Sequence, residues 1–76
     1  MKSINDLKDA LAVAFNKNLI ANFYTHSHFI DIDFLDRTED QMLKIYQLKS
    51  YIQASYDNVR DVEYLPVINR IRVYIC

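Results

Sequence analysis

Residues 29–34 read FIDIDF, an alternation of apolar and acidic side chains that decides how the rest of the chain must be arranged. Because successive side chains of a β-strand point to opposite faces of a sheet, the pattern predicts a strand that is buried on one face only. The inward side chains would be Ile30, Ile32 and Phe34, and the outward ones Phe29, Asp31 and Asp33. A sheet with one apolar face needs other elements to cover that face.

The residues before this strand alternate in the same way and predict an antiparallel partner over residues 19–24. We expect Phe23 to pair with Ile30, with the two strands joined by a four-residue loop, Thr25 to His28. The tighter two-residue turns favour glycine, and the chain has none. The inward side chains of this strand would be Leu19, Ala21 and Phe23, and the outward ones Ile20, Asn22 and Tyr24.

Two amphipathic helices are predicted, one before each hairpin. Ser3 followed by Asp6 is typical of a helix N-cap, and apolar residues at helical spacing extend it over residues 4–16. A second N-cap is formed either by Asp36 with Glu39 or by Thr38 with Gln41. The helix that follows would bury Met42, Ile45, Leu48, Ile52 and Tyr56. Asn16, Asn18 and Asn58 are the expected stop signals, since asparagine tolerates the left-handed conformation that ends many helices.

A second hairpin follows, with strands at residues 60–65 and 70–75 around a turn at Pro66 to Asn69. We expect Leu65 to pair with Arg70, which aligns Glu63 with Arg72 on the outer face. Opposite charges in such a cross-strand pair contribute about 0.2–1 kcal/mol.

The predicted architecture is therefore an α+β fold with the order αββαββ, forming one compact domain over residues 1–76. Both helices lie on one face of a four-stranded antiparallel sheet. The preference for right-handed crossovers favours the strand order 1-2-4-3, which is a circularly permuted ferredoxin-like layout. In that order Asp31 and Asp33 lie beside Arg70 and Arg72 on the face that carries no helix.

Composition excludes several classes of site. The chain has no glycine, although average usage predicts about five, so phosphate-binding loops, dinucleotide fingerprints and nucleophile elbows are excluded. With a net charge of −1 we expect no attachment to nucleic acid or to a membrane. Cys76 has no second cysteine to pair with, which is typical of a reducing compartment, and we expect a cytoplasmic location. No cofactor is expected.

Negative charge is concentrated in residues 31–40, which carry −4 while the rest of the chain carries +3. Asp31 and Asp33 have a structural explanation in the arginines, and acids at the start of a helix favour its positive end. Three acids, Asp36, Glu39 and Asp40, would still form a solvent-exposed corner. We expect these five carboxylates to contribute to binding a basic partner.

Aromatic residues indicate a second candidate surface. Phe15, Phe23 and Phe34 are expected in the core. The helix-free side of the sheet would instead carry Tyr24, Phe29 and Tyr74, together with Ile20 and Leu35. Aromatic side chains in such a position are favoured for recognition of a partner. RNA-binding sheets also use aromatic platforms, but here the platform is ringed by carboxylates, so we do not favour nucleic acid.

His26 and His28 raise the alternative of a metal site or of a small histidine-dependent ribonuclease. Alternation places Asp31 and Asp33 on the opposite face from His28, so the set does not converge on one site. We therefore expect a polar hairpin loop, with neither a catalytic residue nor a metal site.

Taken together, these features favour a non-enzymatic protein-binding module that inhibits a basic nucleic-acid-processing protein. In size and composition alone, the chain is similar to phage counter-defence proteins and immunity proteins. The main alternative is a homodimer formed through the aromatic face or through the edge strand, because a core this small gains stability from association.

Overall fold

The computed structural model describes residues 1–76 and contains two helices and four strands. The helices are α1 (Ile4–Asn16) and α2 (Glu39–Ser55). The strands are β1 (Asn22–Thr25), β2 (Phe29–Asp33), β3 (Val59–Leu65) and β4 (Arg70–Ile75). Neither helix is long and apolar enough to cross a membrane.

All four strands form one antiparallel sheet in the order β1-β2-β4-β3, so the predicted α+β class and strand order are confirmed. The inner face of the sheet and both helices share one apolar core. Its fully buried members include Ile30 and Ile32 of β2, Ile71 of β4, and Ile45 and Ile52 of α2. The other face carries no helix, and we call it the open face.

Asparagine takes the conformations for which many chains use glycine. The residues with positive φ are Asn18 (57°), Asn58 (64°) and Asn69 (54°). At the end of α1, the Leu19 amide donates to the Ala14 carbonyl at 2.9 Å and the Asn18 amide donates to the Phe15 carbonyl at 3.1 Å. This is a Schellman ending in which Asn18, one of the two asparagines expected to stop the helix, takes the left-handed conformation.

The start of each helix is capped by a hydroxyl. Ser3 and Asp6 form the predicted capping box, in which the Ser3 amide donates to the Asp6 carboxylate at 2.9 Å. That hydrogen bond lowers the pKa of Asp6 below its ordinary value. Of the two alternatives for α2, Thr38 is the cap, and its Oγ1 accepts from the Gln41 amide at 3.2 Å.

The second hairpin has the predicted register. Leu65 pairs with Arg70 and Glu63 with Arg72, across a turn closed by the Asn69 amide and the Pro66 carbonyl. The register shifts by one residue at Arg60, where a bulge interrupts β3.

The first hairpin differs from the prediction. Phe23 pairs with Ile32 rather than with Ile30, and Thr25 belongs to the ladder rather than to a loop. The His26 amide donates to the Phe29 carbonyl at 2.9 Å, so only two residues lie between the closing pair. A slip of two residues keeps every side chain on its face, and for this reason the alternation could not detect it.

The predicted strand start at residue 19 is also wrong. After the left-handed Asn18 the chain bends, and β1 begins only at Asn22. Leu19 is therefore 63% exposed, whereas Ile20 is buried in the core instead of lying on the open face. Phe15, another expected core residue, is exposed but packs edge-to-face against Phe23.

Candidate functional site

The centre of the open face is a network of two carboxylates and two guanidinium groups from β2 and β4. Arg72 donates from Nε and Nη2 to the two oxygens of Asp31 at 2.8 and 3.1 Å. Arg70 donates to both oxygens of Asp33 at 2.6 and 3.0 Å and reaches Asp31 at 3.3 Å. The cross-strand pairing of Asp31 with Arg72 and of Asp33 with Arg70 produces this arrangement, as predicted.

Asp31 is only 2% exposed although it lies on the face that no helix covers. The side chains above it therefore exclude water, and charge-assisted bidentate bonds compensate for the desolvation of its carboxylate. Hydrogen bonding to Asp33 raises the pKa of Arg70 above its ordinary value, and hydrogen bonding to Asp31 does the same for Arg72. Both guanidinium groups are thus held by carboxylates of the same chain.

Aromatic rings complete this layer. The Arg72 guanidinium lies 4.5 Å from the ring centroid of Phe29, and that of Arg70 lies 5.6 Å from the ring of Tyr24. Tyr74, which pairs with Phe29, has the Arg60 guanidinium 5.6 Å from its ring. Tyr24 is 42% exposed, whereas Phe29 and Tyr74 are half-buried. Of the three predicted anchors, Tyr24 is the most accessible.

A shallow cleft of about 350 Å³ lies above the network, lined by Tyr24, His26, Phe29, Asp31, Arg70 and Arg72. The His26 ring stacks on Phe29 at 4.3 Å, and its Nε2 lies 3.9 Å from Asp31. Sequence reasoning tested only His28 against the acids and missed this contact. The signal was available, because His26 follows Tyr24 by two positions and therefore shares its face.

Five carboxylates around this layer have no ionic partner. Asp61 and Glu63 lie on the open face, since they pair with Tyr74 and Arg72 across the sheet, and both are exposed. Asp36, Glu39 and Asp40 form the acidic corner at the start of α2, and all three are exposed. None of the five lies within 4 Å of a basic side chain. Although Arg72 is the cross-strand neighbour of Glu63, its guanidinium pairs with Asp31 instead.

Three exposed aliphatic side chains lie next to the acidic corner, and we call them the aliphatic tip: Leu35, Val67 and Ile68. Val67 is 85% exposed. The Asn69 side chain joins the two loops that carry the tip by donating to the Phe34 and Asp36 carbonyls, each at 3.0 Å. Arg37 adds a bond of 2.6 Å to the Val67 carbonyl.

The aliphatic tip was not predicted. Leu35 was expected on the open face but lies beyond the end of β2. The available signal was the turn sequence PVIN at residues 66–69, because turns normally carry polar residues rather than two β-branched ones.

The polar groups of the open face satisfy one another. Every buried side-chain nitrogen and oxygen has a hydrogen-bond partner, and no group of three histidine, cysteine or carboxylate side chains could hold a metal ion. What the arrangement offers to another molecule is a negative rim, an exposed tyrosine and an aliphatic tip.

No protein-family model, no curated protein and no solved structure matches this chain.

Proposed function

We propose that the chain is a small non-enzymatic protein-binding module that inhibits a nucleic-acid-processing protein in the cytoplasm by covering its basic surface. One observation carries this proposal. The two central arginines of the open face, Arg70 and Arg72, are paired with Asp31 and Asp33, whereas the five acids around them are exposed and unpaired and outnumber the two unpaired arginines nearby, Arg37 and Arg60. A partner would therefore meet a surface with an excess of negative charge, in spite of the nearly neutral net charge.

The two parts of this surface have different roles in the proposal. The acidic corner attracts a positively charged partner over distances of about a Debye length, which is about 10 Å at moderate salt. The aliphatic tip and Tyr24 supply apolar contact area once the partner has docked. Apolar side chains beside unpaired charges match the usual anatomy of interfaces, with an apolar centre and a polar rim.

The fold leaves this surface free. We interpret the β1-β2-β4-β3 order, with both helices against one face, as a circularly permuted ferredoxin-like layout. Such a layout presents a whole sheet face to a partner.

The proposal is tested by affinity capture from the native host with the wild-type chain and two charge-matched variants. The first variant, Asp36→Lys with Asp40→Lys, reverses the acidic corner. The control, Asp9→Lys with Asp57→Lys, makes the same change in net charge at exposed acids elsewhere. We expect the wild type and the control to retain the same basic nucleic-acid-processing protein and the corner variant to lose it. Retention of the same proteins by all three chains would contradict the proposal.

Light scattering separates the proposal from a homodimer. A monomer at micromolar concentration is the expected result. A dimer that Tyr74→Glu disrupts would show that the open face instead binds a second copy.

A further inference from the structure

A second cavity, of about 300 Å³, lies between the two helices, and we call it the interhelical groove. Nine of its ten lining residues are hydrophobic, and Lys2 is the only charged one. On α1 the groove is lined at Ala10 and Ala14, and on α2 at Leu48 and Ile52. Because alanine is short, α1 does not fill the space in front of α2, and the groove stays open.

Lys2 is held at the groove by its backbone. Its amide donates to the Ser55 carbonyl at 3.0 Å, and its carbonyl accepts from the Asp57 amide at 2.7 Å. The first residues of the chain are thereby attached to the end of α2 as an isolated parallel bridge between Lys2 and Tyr56. The position of the Lys2 Cα relative to the groove is therefore fixed by two hydrogen bonds.

The ammonium group of Lys2 lies against aromatic rings and has no anionic partner. Its Nζ donates to the Tyr51 hydroxyl at 2.6 Å and lies 5.3 Å from the ring centroid of Tyr51 and 5.8 Å from that of Tyr56. No carboxylate is within 4 Å of it. A lysine with its ordinary pKa is charged at neutral pH, and the hydrogen bond with Tyr51 raises the pKa of Lys2 further and lowers that of Tyr51.

We propose that the interhelical groove binds an amphipathic monocarboxylate, with its carboxylate on Lys2 and the Tyr51 hydroxyl and its alkyl chain between the helices. A positioned cation with a hydroxyl beside it can form charge-assisted hydrogen bonds to a carboxylate. The apolar walls provide the remaining contact, in keeping with small-molecule sites that combine many apolar residues with a few polar ones.

The size of the groove favours a monocarboxylate with a single alkyl chain over a peptide helix. About 300 Å³ is at the lower end of the range for small-molecule sites, whereas a helix with its side chains is about 10 Å across. A single alkyl chain of medium length is the shape that suits the space. This site lies on the helical side, away from the open face, and does not depend on the function proposed above.

The test is calorimetric titration of the full chain with octanoate and with decanoate, both below their micelle concentrations. We expect saturable binding of one molecule per chain. Octylammonium, which has the same tail as octanoate and the opposite charge, should not bind. Lys2→Gln should weaken binding about tenfold or more through loss of the charge-assisted bond, and Lys2→Arg should restore most of it. Lys44→Gln, which removes a lysine of α2 outside the groove, is the matched control.

A second variant tests the groove itself. Ala10 is exposed although it lines the groove, so Ala10→Phe can fill the space without disturbing the core. We expect this variant to keep its circular dichroism spectrum and to lose octanoate binding. The proposal is overturned if neither carboxylate binds at millimolar concentration, if octylammonium binds as well as octanoate, or if Lys2→Gln binds as the wild type does. Binding only to anionic lipid vesicles, with none to the free carboxylates, would also overturn it.

Discussion

The two faces of the sheet exclude water by different means and to different degrees. On the inner face, Ile30, Ile32, Ile71 and Val73 are fully buried beneath the helices. On the open face nothing but side chains covers the sheet, yet Asp31 is almost as deeply buried. The inner face is stabilised by apolar burial and the open face by ion pairs and cation–π contacts.

This difference matters for function. An apolar sheet face binds any apolar surface that can cover it, and in this chain the two helices already cover the inner face. The two central arginines of the open face are instead paired with Asp31 and Asp33, so the charge that this face displays is set at its margin, where Asp61 and Glu63 outnumber Arg60. A chain with almost balanced charges can in this way present a surface on which unpaired acids outnumber unpaired bases.

The largest effect is expected on the inner face. Ile32→Ala removes a fully buried side chain that contacts no water, so we expect the free energy of unfolding to fall by about 3 kcal/mol, measured by urea denaturation. Leu43→Ala, an exposed position on α2, serves as the control and should change stability by less than about 0.5 kcal/mol. Equal effects at the two positions would contradict the assigned core.

A smaller but still large effect is expected at the centre of the open face. Asp31→Asn keeps the size of the side chain but leaves Arg72 without its carboxylate, and we expect a loss of about 2–3 kcal/mol. Replacing both partners, as Asp31→Leu with Arg72→Leu, should recover part of that loss, because no unpaired charge is left. A loss below about 0.5 kcal/mol for Asp31→Asn would mean that the ion pairs do not stabilise this face.

The sequence predicted both faces of β2 and β4 because strict alternation identifies which side chains share a face. The register of the second hairpin could also be predicted from the sequence. The turn at residues 66–69 ends at Asn69, which has a left-handed conformation, so Leu65 can pair only with Arg70. The register of the first hairpin could not be predicted from the sequence. A slip of two residues preserves all faces, and nothing local in residues 25–28 distinguishes the alternatives.

Of the candidate site, the ion-pair network was predictable and the aliphatic tip was not. The network requires only strand order and register. The tip requires two loops that are distant in the sequence to meet, and that meeting depends on hydrogen bonds from the Asn69 side chain. Alternation alone could have placed His26 on the same face as Tyr24 and Asp31, but their contact depends on the register of the first hairpin, which the sequence did not determine.

A moderate effect on stability is expected at Asn69, and Asn18 serves as its matched control. Both have positive φ, but Asn69 also bonds two carbonyls and accepts from the Tyr64 hydroxyl at 2.7 Å. We expect Asn69→Gly to cost about 1–2 kcal/mol through these lost bonds. Asn18→Gly should change stability by only a few tenths of a kcal/mol. Similar values for both variants in thermal denaturation would show that backbone conformation alone matters at residue 69.

The smallest effect on stability is expected at the acidic corner. Asp36→Lys with Asp40→Lys changes two exposed charges, of which only that of Asp40 lies in the first turn of α2, where the helix dipole makes an acid worth about 0.3–1 kcal/mol. The variant should remain folded by circular dichroism. A loss of stability as large as that of Ile32→Ala would show that the corner is structural and would remove its use as a probe of binding.

The central claim, that the exposed acids attract a basic partner, is tested most directly by association kinetics with the captured protein at several salt concentrations. We predict that the association rate constant of the wild type falls as salt rises, and that the corner variant associates about tenfold or more slowly at low salt with a weaker salt dependence. The control variant, Asp9→Lys with Asp57→Lys, should stay close to the wild type. Association rates that are the same for the wild type and the corner variant at every salt concentration would contradict the claim.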